Sequence, residues 1–166
     1  MMKMTSKNLI IRFRAVLLLT GLIIVTGSEL LHAAAIATGS DYGGGKVVYL
    51  LKSGDKGYDA NVQHGLIADK TDMAGHLDWP DALAACEKLK KNGFSDWYMP
   101  DKDELNRLFV KKSVIGGFVK ASIMESFYWS SSEKDADYSW GQNFKNGSRY
   151  CIDKVKTGRV RAVRNF

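Results

Sequence analysis

The stretch Gly93-Phe94-Ser95-Asp96-Trp97-Tyr98-Met99-Pro100-Asp101-Lys102-Asp103-Glu104-Leu105 decides the fold. It places a helix stop, an aromatic pair, a proline and a fresh helix start in one short span. Asp101 can cap the helix that follows, and Glu104 three residues later makes a capping box with Asp in place of Ser or Thr. Leu105, Leu108 and Phe109 form that helix's inner stripe, and Gly116-Gly117 breaks the chain after it. Upstream, Asp78 can cap an earlier helix with Pro80 in its first turn, where a missing N–H costs nothing. Leu83, Cys86 and Leu89 recur at helical spacing, with Ala82 and Ala85 widening the face. Lys88, Lys90 and Lys91 suit the dipole's C-terminal end, and Asn92-Gly93 is read as the stop.

Further outward the pattern changes to strands. Lys46–Leu51 is an apolar, β-prone run bounded by Gly45 and Ser53-Gly54-Asp55, and Gly65–Ala68 completes a hairpin with it. On the other side, Phe127–Ser131 reads as a strand, and Tyr138–Phe144 alternates with period two. Asn146-Gly147 is a strong hairpin turn signal. Ser148–Ile152 returns as the partner strand, and Arg159–Arg164 is a terminal strand. Strands, two helices and strands again predict an α+β domain with a mainly antiparallel sheet. No internal repeat or low-complexity tract interrupts it.

The bulk composition agrees with one folded domain: 166 residues, 45% hydrophobic and 25% charged. Lys3, Lys7, Arg12 and Arg14 precede an apolar run from Ala15 to Val25, and Ala33-Ala34-Ala35 offers a cleavage site. Residues 1–35 are therefore expected to be a secretory signal, residues 36–44 a flexible lead, and residues 45–166 the domain. The apolar run is too short for a stable membrane span, which needs about 20 residues. Export to a periplasm or the cell surface is the expected localisation, with an uncleaved N-terminal anchor as the alternative. Without residues 1–35, 20 basic residues face 17 acidic ones, a net of +3 against +6 for the whole chain. The charge is polarised: from Lys145 onward seven basic residues stand against Asp153 alone. Cys86 and Cys151 are the only cysteines. In an oxidising compartment they read either as one disulfide, closing a loop of about 65 residues worth roughly 4 kcal/mol, or as two buried free thiols.

Several blocks, in order, resemble a known family. They are Ala84-Ala85-Cys86, Ser95–Leu105, Ile115-Gly116-Gly117-Phe118, Tyr128–Glu133, Trp140–Phe144 and Val160-Arg161-Ala162-Val163-Arg164. The chain resembles the bacterial Lcl C-terminal domain family from about Gly44 to Phe166. That resemblance implies a C-type-lectin-like fold related to the formylglycine-generating-enzyme group, and a disulfide from the helix cysteine Cys86 to the late-strand Cys151. The family's best-known member is a collagen-like adhesin that binds sulfated glycosaminoglycans and forms trimers. The Gly-X-Y stalk of that adhesin is absent here, so its trimerisation does not transfer and self-association stays open.

The expected function is that of an exported, non-catalytic binding module for an anionic glycan or surface polymer. The alternative is an envelope structural or protein-interaction module, and behind it an enzyme related to the formylglycine enzymes. The candidate ligand-binding residues are Trp129, Ser131 and Glu133 as a stacking and hydrogen-bonding rim, Asn143, and the basic residues Arg149, Lys154, Lys156, Arg159 and Arg161. Aromatic faces suit sugar rings, and guanidinium forks suit sulfate or phosphate. The bland reading makes Trp129 core and the basic run a solvated face. Trp97 and Trp140 read as core, Asp96 and Asp101 as turn and cap, and His64 and His76 as isolated. No catalytic set, metal site or cofactor is expected: Asp101–Glu104 lacks EF-hand spacing, and no zinc ligand set is present. Nucleic acid is not an expected partner.

Overall fold

The computed structural model describes residues 36–120 and 122–166; the expected signal segment lies outside the described residues. The elements run in the order β1 (Asp41–Tyr42), β2 (Gly45–Leu50), β3 (Gly65–Ala68), α1 (Trp79–Glu87), α2 (Lys102–Ile115), β4 (Phe127–Glu133), β5 (Tyr138–Asn143), β6 (Arg149–Asp153) and β7 (Val163–Asn165). A single 3₁₀ turn, Met124–Ser126, leads into β4.

The α+β class holds: among the described residues there are two helices, and the named strands pair antiparallel. The strands form two sheets rather than one, in the orders β1-β2-β3-β7 and β4-β5-β6. The last strand crosses back to pair with β3, placing Val163 opposite Ala68 and Asn165 opposite Leu66. It is shorter than Arg159–Arg164. Residues 159–162 instead lie between the sheets as a connecting spine. Arg159 exchanges backbone hydrogen bonds with Phe127 and Trp129, while the Val160 and Ala162 carbonyls accept from Met73 and Asp69.

Both helices start where local chemistry dictates. Asp78 accepts from the Asp81 N–H and Pro80 sits in the first turn of α1. At α2 the capping box is complete: Asp101 accepts from the Glu104 N–H, and the Glu104 carboxylate accepts from the Asp101 N–H. Gly116, at φ 73°, ends α2. The expected stop at Asn92-Gly93 is a different device. Helix α1 ends at Glu87, and Asn92 (φ 55°) and Gly93 (φ 82°) form a two-residue reversal. Around it Lys91 and Phe94 exchange both backbone hydrogen bonds, the geometry of a type I′ hairpin turn.

The core divides in two. One cluster gathers Ile67, Trp79, Cys86, Trp97, Met99, Phe127 and Trp129 around α1, and the other gathers Val48, Leu66, Leu105, Leu108, Tyr128 and Phe144 around α2. The decisive stretch joins them: Trp97 and Met99 enter the first cluster, and Leu105 enters the second. Trp140 is half-buried rather than core, with the Lys102 ammonium 5.8 Å from its ring centre.

Cys86 and Cys151 are both free thiols, so the implied disulfide does not form. Side chains alternate along a strand. In β6 it is Ile152 that packs against the cluster holding Cys86, so Cys151 faces the opposite side of the strand. Burial pushes the Cys86 thiol up to about 12.

Candidate functional site

The nine candidate residues are not one surface. Trp129 is fully buried, with its indole Nε1–H donating to the Leu77 carbonyl at 3.0 Å. It cannot stack on a ligand. Asn143 is equally buried and clamps a turn, accepting from the Lys145 N–H and donating to the Ile123 carbonyl. Ser131 is half-buried, its N–H donating to the Pro100 carbonyl. Glu133 pairs with Lys154, which also donates to the carbonyls of Asp135 and Ala136 and lies over the Trp79 ring. Arg159 donates to the Glu125 carbonyl. Arg149 lies 3.8 Å from Asp103, and Lys156 is exposed.

Arg161 is the clearest correction. Its side chain is 0% exposed and cannot belong to a solvent-facing basic strip. Nε donates to Asp72 at 2.7 Å, Nη1 to the Asp69 carbonyl at 3.0 Å, and Nη2 to the Gly117 carbonyl at 2.7 Å. The guanidinium carbon also sits 4.1 Å from the centre of the Phe118 ring. A buried cation is tolerated when a counter-charge and hydrogen bonds replace its water. Arg164 is similarly engaged: it forks onto both carboxylate oxygens of Asp96, at 2.7 and 2.8 Å. That guanidinium holds the Asp96 carboxyl below its usual range.

The Arg161 network positions a loop. Gly116 and Gly117 both have φ near +70° (73° and 72°), and a side chain at Gly117 would run into the Lys70 carbonyl. The chain therefore turns tightly after α2. Arg161 holds the two glycine carbonyls, and the Tyr128 hydroxyl accepts from the Val119 N–H while donating to Asp72 at 2.6 Å. Phe118 packs on Tyr128 and Phe144 at ring-centre distances of 5.7 and 4.8 Å. Burial and the Asp72 hydrogen bond push the Tyr128 hydroxyl well above its ordinary range, so it keeps its proton.

Beside this loop lies a cleft of about 620 Å³, bounded by the end of α2, Gly116–Lys120 and the Phe144-Lys145 turn. Lys112, Lys120 and Lys145 line it, with Phe118 and Phe144 in its wall. Lys112 is anchored, donating to the Phe144 carbonyl at 2.6 Å. Lys120 and Lys145 are exposed and, among the described residues, have no carboxylate within ion-pair distance. Three cations over an aromatic wall can hold an anionic group and a ring or apolar face together.

The late-strand charge count missed this cleft because two of its lysines come from outside that segment. A usable signal was present in Lys111-Lys112, Gly116-Gly117-Phe118 and Lys120: cations bracketing a double-glycine turn and an aromatic residue. Among the described residues, no group of three or more His, Cys, Asp or Glu is placed to hold a metal ion, and no helix is long and apolar enough to cross a membrane. Residues 59–164 match the family model described as the Lcl C-terminal domain. No curated protein matches the chain.

Proposed function

This chain belongs to the Lcl C-terminal domain family, and from that premise we propose that it is an exported, non-catalytic binding module for an anionic glycan or other anionic surface polymer. The C-type-lectin-like label and the N-terminal secretory signal are parts of the same proposal. The observation that supports it most is the cleft between α2 and the Gly116–Lys120 loop, where Lys112, Lys120 and Lys145 converge without an acidic counterpart in its lining. A polymer carrying sulfate or carboxylate at intervals matches such a surface, because each neutralised group adds a salt-sensitive increment while the aromatic wall takes ring carbons.

Retention on immobilised heparin tests the reading. Wild-type protein is expected to bind at low salt, and Lys120→Glu/Lys145→Glu to elute much earlier. A second double variant, Lys52→Glu/Lys156→Glu, makes the same net-charge change outside the cleft lining and is expected to elute near wild type. No low-salt retention of wild type, or equal losses in the two double variants, would overturn the cleft as the binding site.

A further inference from the structure

Sheet edges are reactive wherever backbone donors and acceptors face outward unpaired, and folds normally shorten, charge or cover them. Three of the four edges here are handled that way. Strand β1 is two residues long and carries Asp41, which pairs with Lys46 and Lys70. On β7, Val163 gives its outward N–H and C=O to Tyr98. On β4, Phe127 and Trp129 are paired with Arg159, and Ser131 with Pro100.

The fourth edge, β6, is different. The hydrogen bonds Asn143 N–H to Ser148 C=O and Lys154 N–H to Asp137 C=O fix the parity of the β5–β6 ladder. Even-numbered residues of β6 face β5, and Arg149, Cys151 and Asp153 turn their backbone groups outward. Among the described residues, the one backbone bond made by those outward groups is from the Lys156 N–H to the Asp153 carbonyl. Arg149 and Tyr150 are exposed and Cys151 is half-exposed.

The sequence of this edge is complementary to itself. Written Arg149-Tyr150-Cys151-Ile152-Asp153, it is basic at one end and acidic at the other, with the cysteine at its midpoint. An antiparallel copy related by a two-fold axis through Cys151 sets Arg149 opposite Asp153 of the second copy, twice, and Tyr150 opposite Ile152. All three outward residues then meet in hydrogen-bonded register. Arg149 has only the 3.8 Å approach of Asp103 to satisfy it, and Asp153 makes no ion pair among the described residues.

We propose that β6 is a self-pairing edge on which a second copy of this chain docks antiparallel, joining two three-stranded sheets into one of six. Cys151 then faces its counterpart across a hydrogen-bonded pair. The Cα separation of such a pair, about 5.5 Å, lies within the disulfide range, and the side chains of a hydrogen-bonded pair stand slightly wide of it, so the two thiols join once the strands draw locally together. A five-residue edge is a small interface, so the association is concentration-dependent.

Sedimentation velocity at several protein concentrations, joined to trapping with glutathione disulfide, tests this pairing. In the trap one Cys151 thiolate displaces a glutathione thiolate, and the second Cys151 then displaces the other. One protein disulfide forms as two glutathiones are reduced. Wild type is expected to shift toward dimer with concentration and to be trapped through Cys151, with no trapped dimer from Cys151→Ser. Arg149→Asp and Asp153→Arg are each expected to lower dimer yield about tenfold, and the double swap Arg149→Asp/Asp153→Arg to restore it. Monomer at every concentration without trapping, trapping unaffected by the single reversals, or a double swap that fails to rescue would each overturn the pairing.

Discussion

Arg161 and Lys120 carry the same charge and do opposite things. The Arg161 side chain is wholly buried and spends its donors on Asp72 and on the Asp69, Gly116 and Gly117 carbonyls. Lys120 stands in solvent at the rim of the cleft that Arg161's contacts shape. The difference is chemical. A planar guanidinium offers five donors in a fixed fork and can satisfy a converging set of carbonyls and a carboxylate, whereas an ammonium is a compact, strongly hydrated point charge. Thus Arg161 and Arg164 help build the fold, while Lys120 and Lys145 supply free positive charge at the cleft. Charge counted along a sequence does not distinguish the two.

The largest effect expected from breaking this division is at Arg161. Arg161→Ala removes the counter-charge of Asp72 and orphans several buried carbonyls, which is expected to cost about 3–5 kcal/mol. Chemical denaturation would show it as a large fall in midpoint. Arg161→Lys should recover only a small part, since one ammonium cannot reach all four partners. An unfolding free energy within about 0.5 kcal/mol of wild type would show that Arg161 does not hold the loop.

The next effect sharpens the comparison, because Lys154 is a lysine that behaves like the arginines. It is largely covered, pairs with Glu133, and donates to the Asp135 and Ala136 carbonyls. Lys154→Ala is expected to cost about 1–2 kcal/mol and to leave heparin retention close to wild type. A clear loss of retention without loss of stability would move Lys154 to the side of the cleft lysines. Lys120→Glu/Lys145→Glu is the mirror case. Its stability should stay within about 0.5 kcal/mol of wild type, while its retention falls.

These contrasts also explain what was legible in the sequence. The α2 start was readable to the residue, because Asp101 and Glu104 act through bonds three residues apart. Gly116-Gly117 and Gly147 were legible as breaks for the same reason: positive φ is a local requirement. Asn92-Gly93 shows the limit of that logic. Its backbone demand was evident, yet whether the turn ends a helix or forms a hairpin depends on Lys91 meeting Phe94 beyond the helix. The site was less legible still. Whether Arg161 faces water is decided by Asp72, 89 positions away, and whether Cys151 meets Cys86 is decided by a one-residue phase of β6. The two-sheet division likewise rests on the pairing of β7 with β3, which local pattern does not specify.

The smallest effect concerns Glu104, a charge placed between the two extremes. Burial is the main influence on its carboxyl and raises it above the ordinary value of 4.5, although the Asp101 N–H and the Tyr98 hydroxyl both donate to it. A carboxyl raised in the folded state binds its proton more tightly there than in the unfolded chain. Stability is therefore fully expressed below about pH 4.5 and falls as pH rises from there through the folded-state value. Glu104→Gln keeps an oxygen for the Asp101 N–H and removes the titration. Relative to wild type it should be neutral near pH 4 and gain as pH rises toward 7. Asp96, depressed by Arg164, contributes with the opposite sign: its share is present above its ordinary 3.8 and is lost as pH falls. Asp96→Asn should therefore differ from wild type at neutral pH and converge with it in acid. Denaturation midpoints for both variants from pH 3 to 7 would separate a charge strained by burial from one held by a partner. Parallel curves for Glu104→Gln and wild type across that range would remove Glu104 from the first class.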